Sequence, residues 1–174
     1  WSSDVCSSDL TGPLSSETTW AYTKDVHLYP YDVAVADKML DEAGVKRGAD
    51  GTRFKVKVVA ARGVDAFAKS AEIVSEQLKK VGIDVEVNIL DRATVLNQVY
   101  TKREFDMFIH SMTSGPDPAI GVERQYISSN IRPSPFTNAI GYKNPAVDKL
   151  FADAAIETSV DKRAGFYKQA QKIL

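Results

Sequence analysis

Polar residues that could contact a substrate or ligand cluster near the middle of the chain. An apparent strand beginning at Phe105 reaches His110 and then Ser-Met-Thr-Ser-Gly-Pro-Asp-Pro at residues 111–118. Gly115 and the two prolines force this stretch to turn. Parallel α/β folds place ligand-contacting groups where strands end in such loops. An ordinary exit from a strand into a loop has the same spacing, so both interpretations stay open.

Catalytic chemistry has few candidates in this sequence. Asp106, His110 and Asp117 could in principle exchange protons, but nothing nearby would activate either carboxylate, and an Asx cap explains Asp117 better. The chain has none of the glycine-rich or serine-centred motifs of nucleotide-binding proteins and hydrolases. His27 and His110 lack ligand partners at helical spacing. The residues therefore favour binding without catalysis, with no metal and no cofactor.

Bulk composition is that of a globular domain with an ordinary core. The chain has 174 residues, 44% of them hydrophobic, with a net charge of -1 and a single cysteine. These values give no basic footprint for nucleic acid and exclude an internal disulfide. The first ten residues repeat Ser-Ser-Asp without periodicity and without the features of a secretory signal. We interpret them as a non-native or disordered lead.

Hydrophobic periodicity predicts an α/β fold around the central loop. Alternating apolar residues predict strands at 54–60, at 83–89 and from Phe105, with helices at 33–43, 65–81 and 93–101 between or before them. Strand–helix–strand order at these spacings favours parallel pairing with right-handed crossovers. Two more helices should follow Asn144 and Ser159, and the last should bury Ala164, Tyr167, Ala170 and Leu174. Trp20 and Tyr22 are better explained as a clamp on the domain body than as a ligand cleft.

Two arginines follow the central loop in a stretch without regular pattern. A guanidinium can hold a carboxylate through two parallel hydrogen bonds. We interpret Arg132 as a solvated loop residue. For Arg124, ligand contact and exposure to solvent stay equally open.

Four segments carry a family resemblance when they are taken in order. They are Tyr-Pro-Tyr-Asp and its helix at 29–44, a helix–Gly–strand unit at 73–86, Gly-Pro-Asp-Pro at 115–118, and Gly-Tyr-Lys-Asn-Pro-Ala-Val-Asp at 141–148. Together they resemble the C-terminal lobe of the bacterial ABC-importer substrate-binding proteins of the peptide, dipeptide and nickel class. The resemblance covers about 12–174.

The resemblance implies one lobe of a type II periplasmic-binding-protein-like fold, with a largely parallel sheet flanked by helices. Residues 29–174 would be a truncated C-terminal lobe, and residues 11–28 an extended segment between lobes. The whole receptor would close about a hinge on a peptide or other polar solute and deliver it to an ABC permease. It would be periplasmic or extracellular and membrane-associated. Its partners would be the solute, the permease and the missing N-terminal lobe, and no nucleic acid.

The resemblance and the loop together imply a set of ligand-binding residues: Ser111, Met112, Thr113, Ser114, Asp117, Arg124, Tyr126 and Asn138. Peptide-binding relatives carry Trp-x-x-Asp before the Asp-Pro, and that aspartate pairs with the α-amino group of the ligand. Ser111 and Ser114 occupy the two positions here. Because a buried ammonium without a partner costs several kcal/mol, a sugar, a modified peptide or another polar solute fits as well as a free-amine peptide.

Two other functions stay open on the sequence. One is a small-metabolite enzyme domain with His110 or Asp117 as the acid/base residue of the loop 110–117. The other is a ligand-sensing module joined to a signalling domain. Weak self-association is also expected, because another lobe would normally cover part of the cleft face.

Overall fold

The computed structural model describes residues 11–113 and 115–174. They fall into two units, one made of residues 11–29 with Met112–Leu174 and the other of Pro30–Ser111. The lead at residues 1–10 and the predicted site residue Ser114 lie outside the described residues. The expected division into an interlobe segment and a single lobe stays a prediction.

Three parallel strands form the sheet of the second unit. β1 (Phe54–Ala61) lies between β2 (Ile83–Leu90) and β3 (Met107–Ile109). The register pairs Phe54 with Ile83 at one end of β1 and Ala60 with Ile109 near the other. Parallel pairing was predicted and is confirmed. The second half of β1 is buried, as expected for a strand with neighbours on both sides.

Helices of the second unit follow the predicted order. α1 is Val33–Glu42, α2 is Asp65–Lys80, and α3 is Arg92–Leu96, which continues as a π-helical turn over Asn97–Lys102. Asp32 caps α1 by accepting hydrogen bonds from the backbone N–H of Ala34 (2.8 Å) and Val35 (3.0 Å). Gly44, at φ 80°, ends that helix in the left-handed region that favours glycine.

A buried arginine joins α1 to the sheet. Arg53 directly precedes β1, and its side chain is only 1% exposed. Its Nη1 donates to Asp41 Oδ1 at 2.7 Å and its Nη2 to Asp37 Oδ1 at 3.0 Å. Its Nε donates to the carbonyl of Val81 at 2.9 Å, and Nη1 also contacts the carbonyl of Val45. One guanidinium thus connects α1, the loop after it and the end of α2.

Helices dominate the first unit. α4 is Pro118–Gly121, α5 is Pro145–Ile156 and α6 is Val160–Ile173, with 3-10 turns at Glu123–Gln125 and Ser128–Asn130. Among its described residues, the core contains eight buried ones: Leu14, Ala21, Val122, Val147, Phe151, Ala154, Tyr167 and Ala170. Trp20 packs edge-on against Tyr167, with ring centres 5.6 Å apart, so the predicted aromatic clamp is confirmed.

The predicted burial of Leu174 is wrong. Leu174 is 38% exposed, whereas Gln171 is 3% exposed. Gln171 Nε2 donates to the carbonyl of Ala21 at 2.7 Å, so the buried face of α6 ends there. A polar residue with a backbone partner therefore occupies the last inward position, which apolar periodicity does not reveal.

Candidate functional site

The carboxyl edge of the parallel sheet collects polar side chains in the second unit. Arg62 directly follows β1, Arg92 begins α3 two residues after β2, and His110 directly follows β3. The backbone N–H of Arg62 donates to the carbonyl of Leu90 at 2.7 Å, which joins the ends of β1 and β2. Ligands of open parallel sheets bind at this edge. Arg62 and Arg92 are not among the site residues predicted from the sequence, although each lies within three residues of the end of a predicted strand.

His110 is partly buried at this edge. Its ring centre lies 6.3 Å from that of Phe67. Burial, and then the positive charge of Arg92, lower the pKa of His110 below its ordinary value. The imidazole is therefore neutral at pH 7 and can both donate and accept a hydrogen bond.

The loop residues after β3 are divided between the two units. Ser111 ends the second unit, and Met112 begins the segment that returns to the first. Ser111 and Thr113 are exposed, and Met112 is half-buried. The hydroxyl groups of Ser111 and Thr113 are exposed and available to a ligand. Ligand contact by Ser111, Met112 and Thr113 stays a prediction.

The carboxylate of Asp117 forms hydrogen bonds within the first unit. Its Oδ1 accepts from the backbone N–H of Ala119 at 2.9 Å, which confirms the predicted Asx cap. Arg163 also donates to both carboxylate oxygens of Asp117: Nη1 lies 2.6 Å from Oδ2, and Nη2 lies 2.8 Å from Oδ1. The partner stands 46 positions away in α6, and no local pattern could have identified it.

A half-buried carboxyl lies near this pair. Burial and the negative charge of Asp117 raise the pKa of Glu123, and the positive charge of Arg163 opposes them. The folded chain therefore holds the Glu123 proton more tightly than the unfolded chain does. Its stability must fall as the pH rises from the ordinary glutamate pKa to the raised one.

Replacing Glu123 with glutamine is expected to raise the melting temperature at pH 7 by roughly 2 °C, because the penalty of the buried charge disappears. The gain should vanish below pH of about 4.3, where the wild-type carboxyl is protonated in both states. Thermal unfolding monitored by circular dichroism between pH 4 and pH 8 measures this. Glu76→Gln, at an exposed position of α2, controls for the loss of one charge. A gain that increases toward low pH would contradict the prediction.

Three predicted site residues share one corner of the first unit. The amide of Asn130 donates to the carbonyl of Arg124 at 2.6 Å, and the backbone N–H of Asn138 donates to the carbonyl of Asn130 at 3.2 Å. The ring of Tyr126 meets that of Tyr142 edge-on, with centres 6.1 Å apart. Burial raises the pKa of Tyr126, so its hydroxyl stays protonated at neutral pH.

Arg124 and Asn138 differ in what they can offer a ligand. The guanidinium carbon of Arg124 lies 6.0 Å from the ring centre of Phe136. Its Nε is buried without a hydrogen-bond partner among the described residues. Asn138 is fully buried, and its amide bonds four backbone groups of Tyr126, Ile127 and Tyr142. Arg124 therefore has unused donor capacity, whereas Asn138 holds the corner together.

The described part of the chain contains no candidate metal site. No group of three or more histidine, cysteine, aspartate or glutamate side chains there could hold a metal ion.

Within residues 11–113 and 115–174, no helix has the length and hydropathy to cross a membrane.

A family model described as bacterial extracellular solute-binding proteins, family 5, middle, matches residues 7–132. This chain belongs to the family 5 solute-binding proteins. The predicted family is thereby confirmed.

Relatives within the family 5 solute-binding proteins match nearly the whole chain. The oligopeptide-binding protein AppA of Bacillus subtilis is 28% identical over 170 residues, covering 91% of this chain and 30% of that protein. The glutathione-binding protein GsiB of Shigella flexneri is 25% identical, covering 94% of this chain and 32% of that protein. The chain thus spans about a third of the length of these relatives.

A solved structure extends the likeness to the fold. AppA of Bacillus subtilis in complex with a nonapeptide superposes with a TM-score of 0.78 and 28% identity, covering 94% of this chain and 34% of that one. The predicted periplasmic-binding-protein-like α/β fold, with a small parallel sheet and flanking helices, is confirmed for this part of the receptor. These relatives are binding proteins, and the enzyme alternative receives no support from them.

Proposed function

We propose that the protein captures a peptide or related polar solute outside the cytoplasmic membrane and delivers it to an ABC permease. The chain acts as one lobe of a two-lobe receptor that closes on the ligand, and the N-terminal lobe of the same protein supplies the other wall. The observation that carries the proposal is 28% identity, over 94% of this chain, with a protein solved in complex with a nonapeptide. A periplasmic or extracellular, membrane-associated location follows from that role.

The sheet edge supplies the groups for the carboxylate end of the ligand. Arg62 and Arg92 are both exposed and follow neighbouring parallel strands. Arginine suits this role because its planar fork donates two parallel hydrogen bonds to a carboxylate. We assign Arg62 as the principal carboxylate ligand, with the hydroxyl of Ser111 as a polar neighbour on the same unit. Met112, Thr113, Arg124 and Tyr126 remain proposed ligand contacts of the first unit.

The loop at residues 110–117 offers one carboxylate to the amino end of the ligand, that of Asp117. Serine stands at residues 111 and 114, and Arg163 already neutralises the carboxylate of Asp117. An ammonium group would therefore gain little here relative to water. The site should tolerate ligands whose amino group is blocked or absent.

Blocking the ends of a peptide tests this assignment. Amidation of the carboxylate of trialanine is expected to weaken binding at least about 10-fold, since it removes one hydrogen bond to a charged group, which contributes about 1.5–3 kcal/mol. Acetylation of its amino group should change the affinity less than about 3-fold, since the carboxylate of the loop at residues 110–117, that of Asp117, is already paired with Arg163. Amide NMR titration of the labelled chain measures both affinities and suits the weak binding expected of one lobe.

Matched arginine variants complete the test. Arg62→Met should remove the preference for the free carboxylate, and Arg132→Met, an exposed arginine of the first unit, should preserve it. A stronger loss on acetylation than on amidation would reverse the proposed orientation of the ligand. Failure of trialanine and of glutathione to shift any amide of the folded chain would contradict peptide capture by this lobe.

A further inference from the structure

One guanidinium in the first unit connects four separate segments. Besides the carboxylate of Asp117, Arg163 donates from Nε to the carbonyl of Ala154 at 2.9 Å and from Nη2 to the hydroxyl of Tyr167 at 3.2 Å. Its central carbon lies 5.5 Å from the ring centre of Trp20 and 5.4 Å from that of Tyr167. A guanidinium with this many partners has a defined orientation, unlike one in an exposed ion pair.

The hydrogen bond to the carbonyl of Ala154 in α5 fixes the orientation of the Arg163 guanidinium. Ala154 lies in the last turn of α5, where carbonyl groups have no partner within the helix. The Nε–H of Arg163 satisfies one of these carbonyls, which leaves the two terminal nitrogens facing Asp117. The arginine side chain is 24% exposed and the aspartate side chain 22% exposed, so solvent screens the pair only in part.

Asp117 transmits this orientation to the loop before α4. The same Oδ1 that bonds Arg163 also accepts from the N–H of Ala119, and the carbonyl of Asp117 accepts from the N–H of Ile120 at 3.0 Å. The carboxylate therefore cannot rotate without breaking its contact with either Arg163 or α4. Gly115, at φ 69°, turns the chain just before it.

We propose that Arg163 is a positioning residue that sets the conformation of the loop leading into α4, and through it the proposed ligand contacts Met112 and Thr113. This inference rests on the proposed function of that loop. Arg163 acts only through Asp117 and touches no ligand. Without it, Asp117 loses the two hydrogen bonds that fix its carboxylate and keeps only the bond from Ala119. The carboxylate is then free to turn toward water, so the cap of α4 is weakened and the loop is released.

Two variants of Arg163 and one core variant test the proposal in the full chain. Arg163→Met removes the charge and the fork, and Arg163→Lys keeps the charge alone. Val147→Ala is the control, because Val147 is a fully buried core residue of α5 whose truncation lowers stability without removing an Arg163 contact. The readouts are hydrogen exchange at the amides of Ala119 and Ile120, and the affinity for trialanine by NMR titration.

Arg163→Met is expected to speed exchange at these two amides about 10-fold more than Val147→Ala does, and to weaken trialanine binding about 10-fold where the control leaves it unchanged. Arg163→Lys should give an intermediate result, and it serves as the test if the methionine variant does not fold. Equal effects of the arginine and control variants on both readouts would show a merely structural arginine and overturn the proposal. Failure of the wild type to bind either trialanine or glutathione would contradict the proposed function, while exchange at Ala119 and Ile120 would still decide the positioning role.

Discussion

Substitution of Arg53 by methionine is expected to lower the melting temperature of the chain by roughly 10 °C. The side chain is 1% exposed and bonds Asp37 and Asp41 at 3.0 and 2.7 Å. Methionine fills a similar volume but removes the donor that bonds Asp41 and the carbonyl of Val81, whereas Asp37 keeps its bond from Arg47. Losing this buried guanidinium costs more than losing an exposed pair, because the carbonyl of the buried Val81 is then left without its donor.

Lys149→Met is the matched control for Arg53→Met. Lys149 pairs with Asp153 at 2.7 Å on α5, but it is 73% exposed, and pairs of this kind contribute little. Thermal unfolding should therefore show a change below about 2 °C for this variant. Equal shifts for Arg53→Met and Lys149→Met would contradict the assigned role of Arg53.

The pH dependence provides a second readout of the Arg53 network. Hydrogen bonds from Arg53, and for Asp37 also those from Arg47, lower the pKa of both Asp37 and Asp41. A lowered carboxyl pKa contributes stability above the ordinary value of about 3.9 and loses it as the pH falls through the lowered one. The difference between wild type and Arg53→Met should therefore be largest near neutral pH and shrink below about pH 4.

Replacing Asn138 with alanine is the second large effect we expect, a loss of about 3 kcal/mol in the free energy of unfolding. Its Nδ2 donates to the carbonyl of Tyr142 at 2.8 Å, and its Oδ1 accepts from the N–H of the same residue at 3.0 Å. Alanine leaves these buried backbone groups without partners. Asn138→Asp should also be destabilising, because a carboxylate cannot donate to the carbonyls around it.

Urea unfolding measures the loss at Asn138. The exposed Asn97 provides the control Asn97→Ala, for which a change within about 0.5 kcal/mol is expected. A stable Asn138→Ala variant that had lost solute binding would instead show a direct ligand contact, as the sequence suggested. The stability and binding of this one variant thus separate a supporting role from a contacting one.

Local sequence signals were enough to predict most of the helices and strands. Asp32 before α1 and Asn144 before α5 cap their helices as their positions indicate, and each side chain accepts from a backbone N–H two residues ahead. Alternating apolar residues marked β1 and β2, and the spacing between them favoured parallel pairing. These signals succeed because the residues that determine each element lie within a few positions of it.

Long-range polar contacts could not be predicted in the same way. Arg163 lies 46 positions from Asp117, and Arg53 lies 12 and 16 positions from its two aspartates. In the sequence these are ordinary charged residues, and only the fold brings them together. The predicted ligand set therefore includes Asp117 and Asn138, whose side chains are largely used inside the protein, and it omits Arg62, which we propose as a ligand contact.

The division of the chain into two units constrains how it can fold during synthesis. Pro30–Ser111 is continuous in sequence, so all its strands are translated before residues 112–174 of the first unit. The other unit must pair its earliest described residues with its latest, as in the hydrogen bond from Gln171 to Ala21, which spans 150 positions. Contacts so distant close slowly. Until α6 emerges, the core around Leu14 and Ala21 lacks Tyr167 and Ala170, and a nascent chain stalled before that point would present this incomplete core to chaperones.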